Sequence, residues 1–183
     1  MFIATIITYY PEGLNEFDEG KNIPLHLAIR NRAPDELLKA FFEAFPDSSK
    51  VPDKHGNLPL HLCCQYDVHF ALFMGILKAN PDAASVKNAN GLTPLHKACH
   101  FNASADVLST LLSVYPAAAS TKDNRGNLPL HLLYLNLTKP PEKKVLQLML
   151  QHYPNALSIT NNSGCVPLMM MNQPWDKYAD EYL

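Results

Sequence analysis

Gly91-Leu92-Thr93-Pro94-Leu95-His96-Lys97-Ala98 decides how this chain is read, because its centre returns four more times. Pro24-Leu25-His26, Pro59-Leu60-His61, Pro94-Leu95-His96 and Pro129-Leu130-His131 stand 35 residues apart, and Pro167-Leu168-Met169 follows after 38. A fixed period of this length means a stack of similar units, each too small to bury its apolar side alone. It points away from a single closed globule built around one active site.

Two further marks keep the same register. Fourteen residues before each of these prolines stands Tyr10-Pro11, Phe45-Pro46, Asn80-Pro81, Tyr115-Pro116 or Tyr153-Pro154. Three residues before the proline stands Gly56, Gly91, Gly126 or Gly164, preceded by polar triplets such as Asp53-Lys54-His55 and Asp123-Asn124-Arg125. The recurring prolines make up ten of the fifteen in the chain, so the high proline content is punctuation and not disorder.

Each unit then has a physical reading. A polar triplet followed by Gly is turn chemistry, since Gly accepts a positive φ that other residues resist. Pro at the start of an apolar run suits the first helical turn, where its missing N–H would find no intrahelical partner. A second run keeps helical spacing: Leu37-Leu38 with Phe41-Phe42, Leu72-Phe73 with Ile76-Leu77, Val107-Leu108 with Leu111-Leu112, and Val145-Leu146 with Met149-Leu150. It predicts a second helix with one buried stripe, ending at the residue before a proline. The fold class is therefore all-α, a solenoid of helix-loop-helix units with turn tips.

This plan resembles the ankyrin repeat over nearly the whole chain. The resemblance rests on Gly91 to Ala98, with Gly56-Asn57-Leu58-Pro59-Leu60-His61-Leu62 and Gly126-Asn127-Leu128-Pro129-Leu130-His131-Leu132 close behind. It implies one array over 1–183: a half repeat at 1–17, repeats at about 18–52, 53–87, 88–122 and 123–160, and a capping repeat at 161–183. The units depart from the family pattern in places. They exceed its usual length of about 33 residues, and the added length is assigned to the Tyr-Pro-Ala-Ala link. Thr precedes the Pro only at Thr93; Ile23, Leu58, Leu128 and Val166 stand there otherwise, without the hydroxyl cap, worth about 1 kcal/mol. Lys21 replaces the turn glycine of the first unit and is expected to strain that turn slightly, while Met169 replaces His in the last. Residues Leu137 to Pro141 read as a longer loop.

The ends read differently from the middle. Phe2-Ile3 and Ile6-Ile7 keep the second-helix offsets, so Met1 to Pro11 is expected to be half a repeat and not a secretory signal, which needs a basic start and a cleavage site. An apolar terminal helix normally needs covering, which suggests a longer array, a larger assembly or a partner. Trp175, Tyr178 and Tyr182, set among charges, look like a polar-faced cap.

Composition narrows the function. Net charge is −2 with no basic stripe, which disfavours nucleic acid. No apolar run approaches the roughly 18 residues of a membrane span. An intracellular setting is expected, cytoplasmic with a nuclear one also open, and the cysteines read as reduced thiols. There is no phosphate loop, no nucleophile elbow and no catalytic set of residues, and no cofactor is expected.

His61, Cys63 and Cys64 cluster, as do His96, Cys99 and His100, and His96/His100 have a spacing that places two imidazoles on one helix face. A zinc protein using the His96/His100 and His61/Cys64 neighbourhood is therefore an alternative reading. The preferred one is structural. His26, His61, His96 and His131 share one repeat position, where the resemblance implies imidazoles bonded to the backbone of adjoining turns. No metal site is expected.

What the resemblance implies for function is a non-catalytic module that binds a partner protein through a concave face, with a purely structural spacer as a further alternative. Carried over by position, the partner-facing residues are Arg30, Gln65, Tyr66, Lys97, His100, Phe101 and Leu135, with Leu27, Asn31, Leu62, Leu132 and Asn136 at the other variable places. The tip residues are Asp53, Lys54, His55, Asn88, Asn90, Asp123, Asn124, Arg125 and Asn161. Gly56, Gly91, Gly126 and Gly164 are structural.

Overall fold

The computed structural model describes residues 11–66, 68–135 and 142–170. The half-repeat helix expected at Phe2 to Ile7, Asn136, the loop around 137–141 and the terminal cap lie outside the described residues. Eight α-helices and no strand occur among the described residues. They are α1 (Pro24–Arg30), α2 (Asp35–Ala44), α3 (Pro59–Tyr66), α4 (Phe70–Ala79), α5 (Pro94–His100), α6 (Ala105–Val114), α7 (Pro129–Leu135) and α8 (Lys143–His152). The chain forms two compact units, Met1–Ala83 and Ala84–Leu183.

Every first helix opens on its proline, as the missing N–H predicts. Two of them end alike. Arg32 and Asn102 take positive φ of 50° and 55°. The N–H of Ala33 then reaches the carbonyl of Ala28 at 2.9 Å, and that of Ala103 the carbonyl of Ala98 at 2.8 Å. These bonds satisfy carbonyls that a helix end otherwise leaves open.

The second helices stop at Phe45, Asn80, Tyr115 and Tyr153, whose φ values of −146° to −135° leave the helical region before the next proline. Where the sequence reading expects a plain link, the structure has a five-residue 3-10 helix: Pro46–Lys50, Pro81–Ser85, Pro116–Ser120 and Pro154–Ser158, with Pro11–Asn15 before them. The proline stops one helix and starts the next. Within these short helices the third residue donates back to the residue before Pro, as Ser48 does to Phe45 and Ala118 to Tyr115, both at 3.0 Å. Ala83, Ala84, Ala118, Ala119 and Ala156 are buried here, and the helices Pro46–Lys50, Pro116–Ser120 and Pro154–Ser158 pack on α-helices of their own unit.

In the first unit α1 packs on α2 and α3, and α2 and α3 each pack on α4. Ile23, Ile29, Leu38, Leu60, Phe73 and Ile76 are almost wholly buried there. In the second unit α5 packs on α6 and α7, α6 on α8, and α7 on the 3-10 helix Pro167–Met170. Leu95, Leu108, Leu111, Leu112, Leu128 and Leu130 form its interior. At roughly 1.5–3 kcal/mol for each fully buried side chain of this size, these stripes dominate the favourable energy.

Candidate interaction surface of the tip loops

The tips are built from one repeated residue, which the sequence reading counts at Asp53, Asn88, Asp123 and Asn161 among the partner-facing tip residues and which instead ties the loop. An Asp or Asn stands six residues before each recurring proline: Asp18, Asp53, Asn88, Asp123 and Asn161. In all five its Oδ1 accepts the main-chain N–H groups two and four residues on. For Asp53 these are His55 and Asn57, both at 2.8 Å; for Asp123, Arg125 at 2.9 Å and Asn127 at 2.8 Å. Asp18, Asn88 and Asn161 repeat the pattern at 2.7 to 3.0 Å. One side chain thus ties the loop from within.

Glycine closes each loop. Gly56, Gly91, Gly126 and Gly164 have φ of 74° to 76°, and Lys21, standing in the first loop's place, has φ 54°, the strained geometry expected of it. A second reason for glycine is proximity. A Cβ on Gly91 would lie 2.7 Å from the main-chain N of Asn124, and one on Gly126 would lie 2.9 Å from that of Asn162, whereas Gly164 has open space. Successive tips are joined by main-chain bonds from Lys54 to Gly20 at 3.0 Å, Asn124 to Asn90 at 3.1 Å, and Asn162 to Arg125 at 2.9 Å.

The repeated histidines bind backbone as the resemblance implies. Nδ1 of His26, His61, His96 and His131 accepts the N–H of Ile23, Leu58, Thr93 and Leu128 at 3.0 to 3.3 Å. The Thr93 hydroxyl meets His96 Nδ1 at 2.9 Å. With Nδ1 accepting, the proton sits on Nε2, which donates to the Asn127 carbonyl from His96 and to the Cys165 carbonyl from His131, each at 3.1 Å. These imidazoles bridge a helix start to the following tip. Burial favours the neutral form at two of them: it pushes His26 down to about 4 against the opposing pull of Asp53, and it lowers His131 as well.

Several residues expected to face a partner are interior. Gln65, Lys97, His100 and Leu135 are 8%, 3%, 1% and 5% exposed, and Leu62 and Leu132 are wholly buried. These positions of the short first helices fill the interior. Lys97 lies along the protein with its ammonium 5.5 Å from the centre of the Phe101 ring, and His100 meets that ring edge-on at 4.7 Å. Burial lowers His100 to about 4, with the Lys97 charge adding to it. Asn88 is also buried, because it is the residue that ties its loop.

Others do reach solvent. Leu27, Asn31, Lys54, His55, Asn90 and Asn124 are exposed, while Arg30, Tyr66, Phe101 and Arg125 are half-buried. The Asn124 amide is partly engaged, donating to the Ala89 carbonyl at 2.9 Å. Arg30 pairs through Nη2 with the buried Asp53 carboxylate. Burial pushes that carboxyl up, but the side chain and N–H of Asn57, the N–H of His55 and the Arg30 charge together hold it below its ordinary value. Asp123 has the matching bonds from Asn127 and Arg125, yet burial prevails and its carboxyl is raised.

Among the described residues no three His, Cys, Asp or Glu side chains come together in a way that could hold a metal ion. Both nitrogens of His96 are already engaged with protein groups, and burial pushes the Cys63 and Cys99 thiols well up. No helix among the described residues is long and apolar enough to cross a membrane.

A family model for ankyrin repeats (many copies) matches residues 77–133. That stretch is ankyrin repeat. The matched stretch holds the Gly91 tip, the His96 and His131 bridges and the α5 and α6 pair, and the same ankyrin marks recur on both sides of it. No curated protein matches the chain. Ankyrin repeats generally mediate protein–protein interaction and are typically non-enzymatic.

Proposed function

We propose that this chain is a non-catalytic module that holds a partner protein through its tip loops and the solvent-facing edge of its first helices. One observation carries the reading. The first residue and the glycine of each tip make the loop in every unit, while the two residues between them differ from tip to tip: Lys54 and His55, Ala89 and Asn90, Asn124 and Arg125, Asn162 and Ser163. A constant backbone with varied, outward side chains is the arrangement that lets one fold select one partner.

Leu27, Arg30 and Asn31 in the first unit extend its tip residues, as does Tyr66. Phe101 supplies an aromatic edge in the second. Aromatic and arginine side chains are those that most often anchor interfaces. Gln65, Lys97, His100 and Leu135 are reassigned to supporting roles. The test is affinity capture with the wild-type chain and two variants whose helical content matches it. Lys54→Ala with His55→Ala and Tyr66→Ala should lose the partner, whereas Lys143→Ala with Lys144→Ala, on the second-helix side, should keep it. Equal capture by the tip variant would reject the proposed surface.

A further inference from the structure

Buried polar groups are not shared evenly among the repeats. Ser48 and Ser49 are 1% and 0% exposed, and neither hydroxyl has a hydrogen-bond partner. They stand in a 3-10 helix at positions where the later ones carry Ala83-Ala84 and Ala118-Ala119. A buried hydroxyl left unpaired forfeits the bonds it makes to water in the unfolded chain; the alanine has none to lose. The same repeat buries Asn22 Oδ1 and Arg30 Nε without partners. His26 Nε2 leans on the main chain of Val51 short of full hydrogen-bond geometry, where His96 and His131 make complete bonds.

Backbone strain falls in the same place. Lys21, just before α1, has positive φ; Arg32 after α1 has it too, as Asn102 does after α5, so Lys21 is the strained position without a counterpart in the second unit among the described residues. Lys21 occupies a turn that the other four units give to glycine. Orphaned polar atoms and strained backbone both lower the free energy needed to open a segment locally, and segments of low local stability are those from which conformational switches are drawn.

We infer that residues 18–52, the first full repeat of the array, open ahead of the other repeats in local excursions from the native state, and that the Ser48-Ser49 pair sets how readily they do so. The inference stands whether or not the tips bind a partner. Hydrogen exchange followed by mass spectrometry on the 183-residue chain tests it, with Ser48→Ala/Ser49→Ala and each single variant beside the wild type. In the wild type, amides of 24–30 and 46–50 should exchange at least about tenfold faster than their counterparts in 94–100 and 116–120. The double variant should slow exchange in the first repeat by about tenfold or more and leave α5 and α6 unchanged. Equal protection of the two regions in the wild type would overturn the inference. So would fast exchange in the first repeat that the alanines do not slow, because fraying near a chain end would not respond to them.

Discussion

Asp53 and Asp123 hold the same place in two tip loops, one in each unit, yet their carboxyls are displaced in opposite directions. Both accept two main-chain N–H groups and an asparagine amide, from Asn57 at 3.0 Å and from Asn127 at 3.1 Å. The loops they make are the same. Each also feels one arginine charge, Arg30 at Asp53 and Arg125 at Asp123, so what differs is burial, which the hydrogen bonds and the charge outweigh at Asp53 but not at Asp123. Loop geometry is therefore set within the tip, while the charge state of the tip is set by how deeply its carboxyl is buried.

Glycine substitution should give the largest effect and tests the shared geometry. Gly126→Ala is expected to cost about 3 kcal/mol or more, adding the crowding of Asn162 to the roughly 1–2 kcal/mol of a left-handed residue. Gly164→Ala, with the same φ and open space, should cost only that latter amount. Urea unfolding of the two variants should separate them clearly, and equal losses would show that neighbouring tips do not approach as closely as described.

Removing the cation comes next. Arg30→Met should destabilise by about 1–2 kcal/mol, discounted from a fully buried pair because the Arg30 side chain is a quarter exposed. Asn substitutions sharpen the contrast further, since Asn88 and Asn161 show that Asn makes the same loop. Asp53→Asn should cost about 1 kcal/mol through loss of the Arg30 pair, while Asp123→Asn should fall within about 0.5 kcal/mol of wild type, because burial already disfavours its charge. Reversal of this order in thermal unfolding would break the comparison.

Acid response is the smallest and most distributed effect. The folded-state pKa of His26 lies near 4, below its ordinary 6.5, so the unfolded chain takes up the proton first and stability falls as pH drops from about 6.5 toward 4. Asp53, depressed, gives stability that is present above its ordinary 3.8 and lost as pH falls through its lower folded value. Asp123, raised, has the opposite sign: its folded form protonates more readily, so acid relieves it. Carboxyl titrations by NMR should place Asp53 below 3.8 and Asp123 above it.

Much of this was legible in the residues. Pro at the helix start, Gly in the turn and paired apolar residues at helical spacing each have one dominant physical meaning, and the eight helices follow them. The 3-10 helices were harder to see, because Pro both ends and begins a helix; the signal was the small pair in Ala83-Ala84 and Ala118-Ala119. The loop-tying role of Asp18, Asp53, Asn88, Asp123 and Asn161 could have been found from their constant distance to the proline. Burial of Gln65, Lys97, His100 and Leu135 could not, since a polar residue on a two-turn helix carries no mark of what encloses it.

In the proposed function the partner meets the tips. Lysine cross-linking of a captured complex, read by mass spectrometry, tests it most directly, because Lys54 marks a tip while Lys39, Lys78, Lys143 and Lys144 mark the second helices. Partner cross-links are expected at Lys54 and few at the other four. Cross-links concentrated on Lys39, Lys78, Lys143 and Lys144, with Lys54 unmodified by the partner, would contradict it.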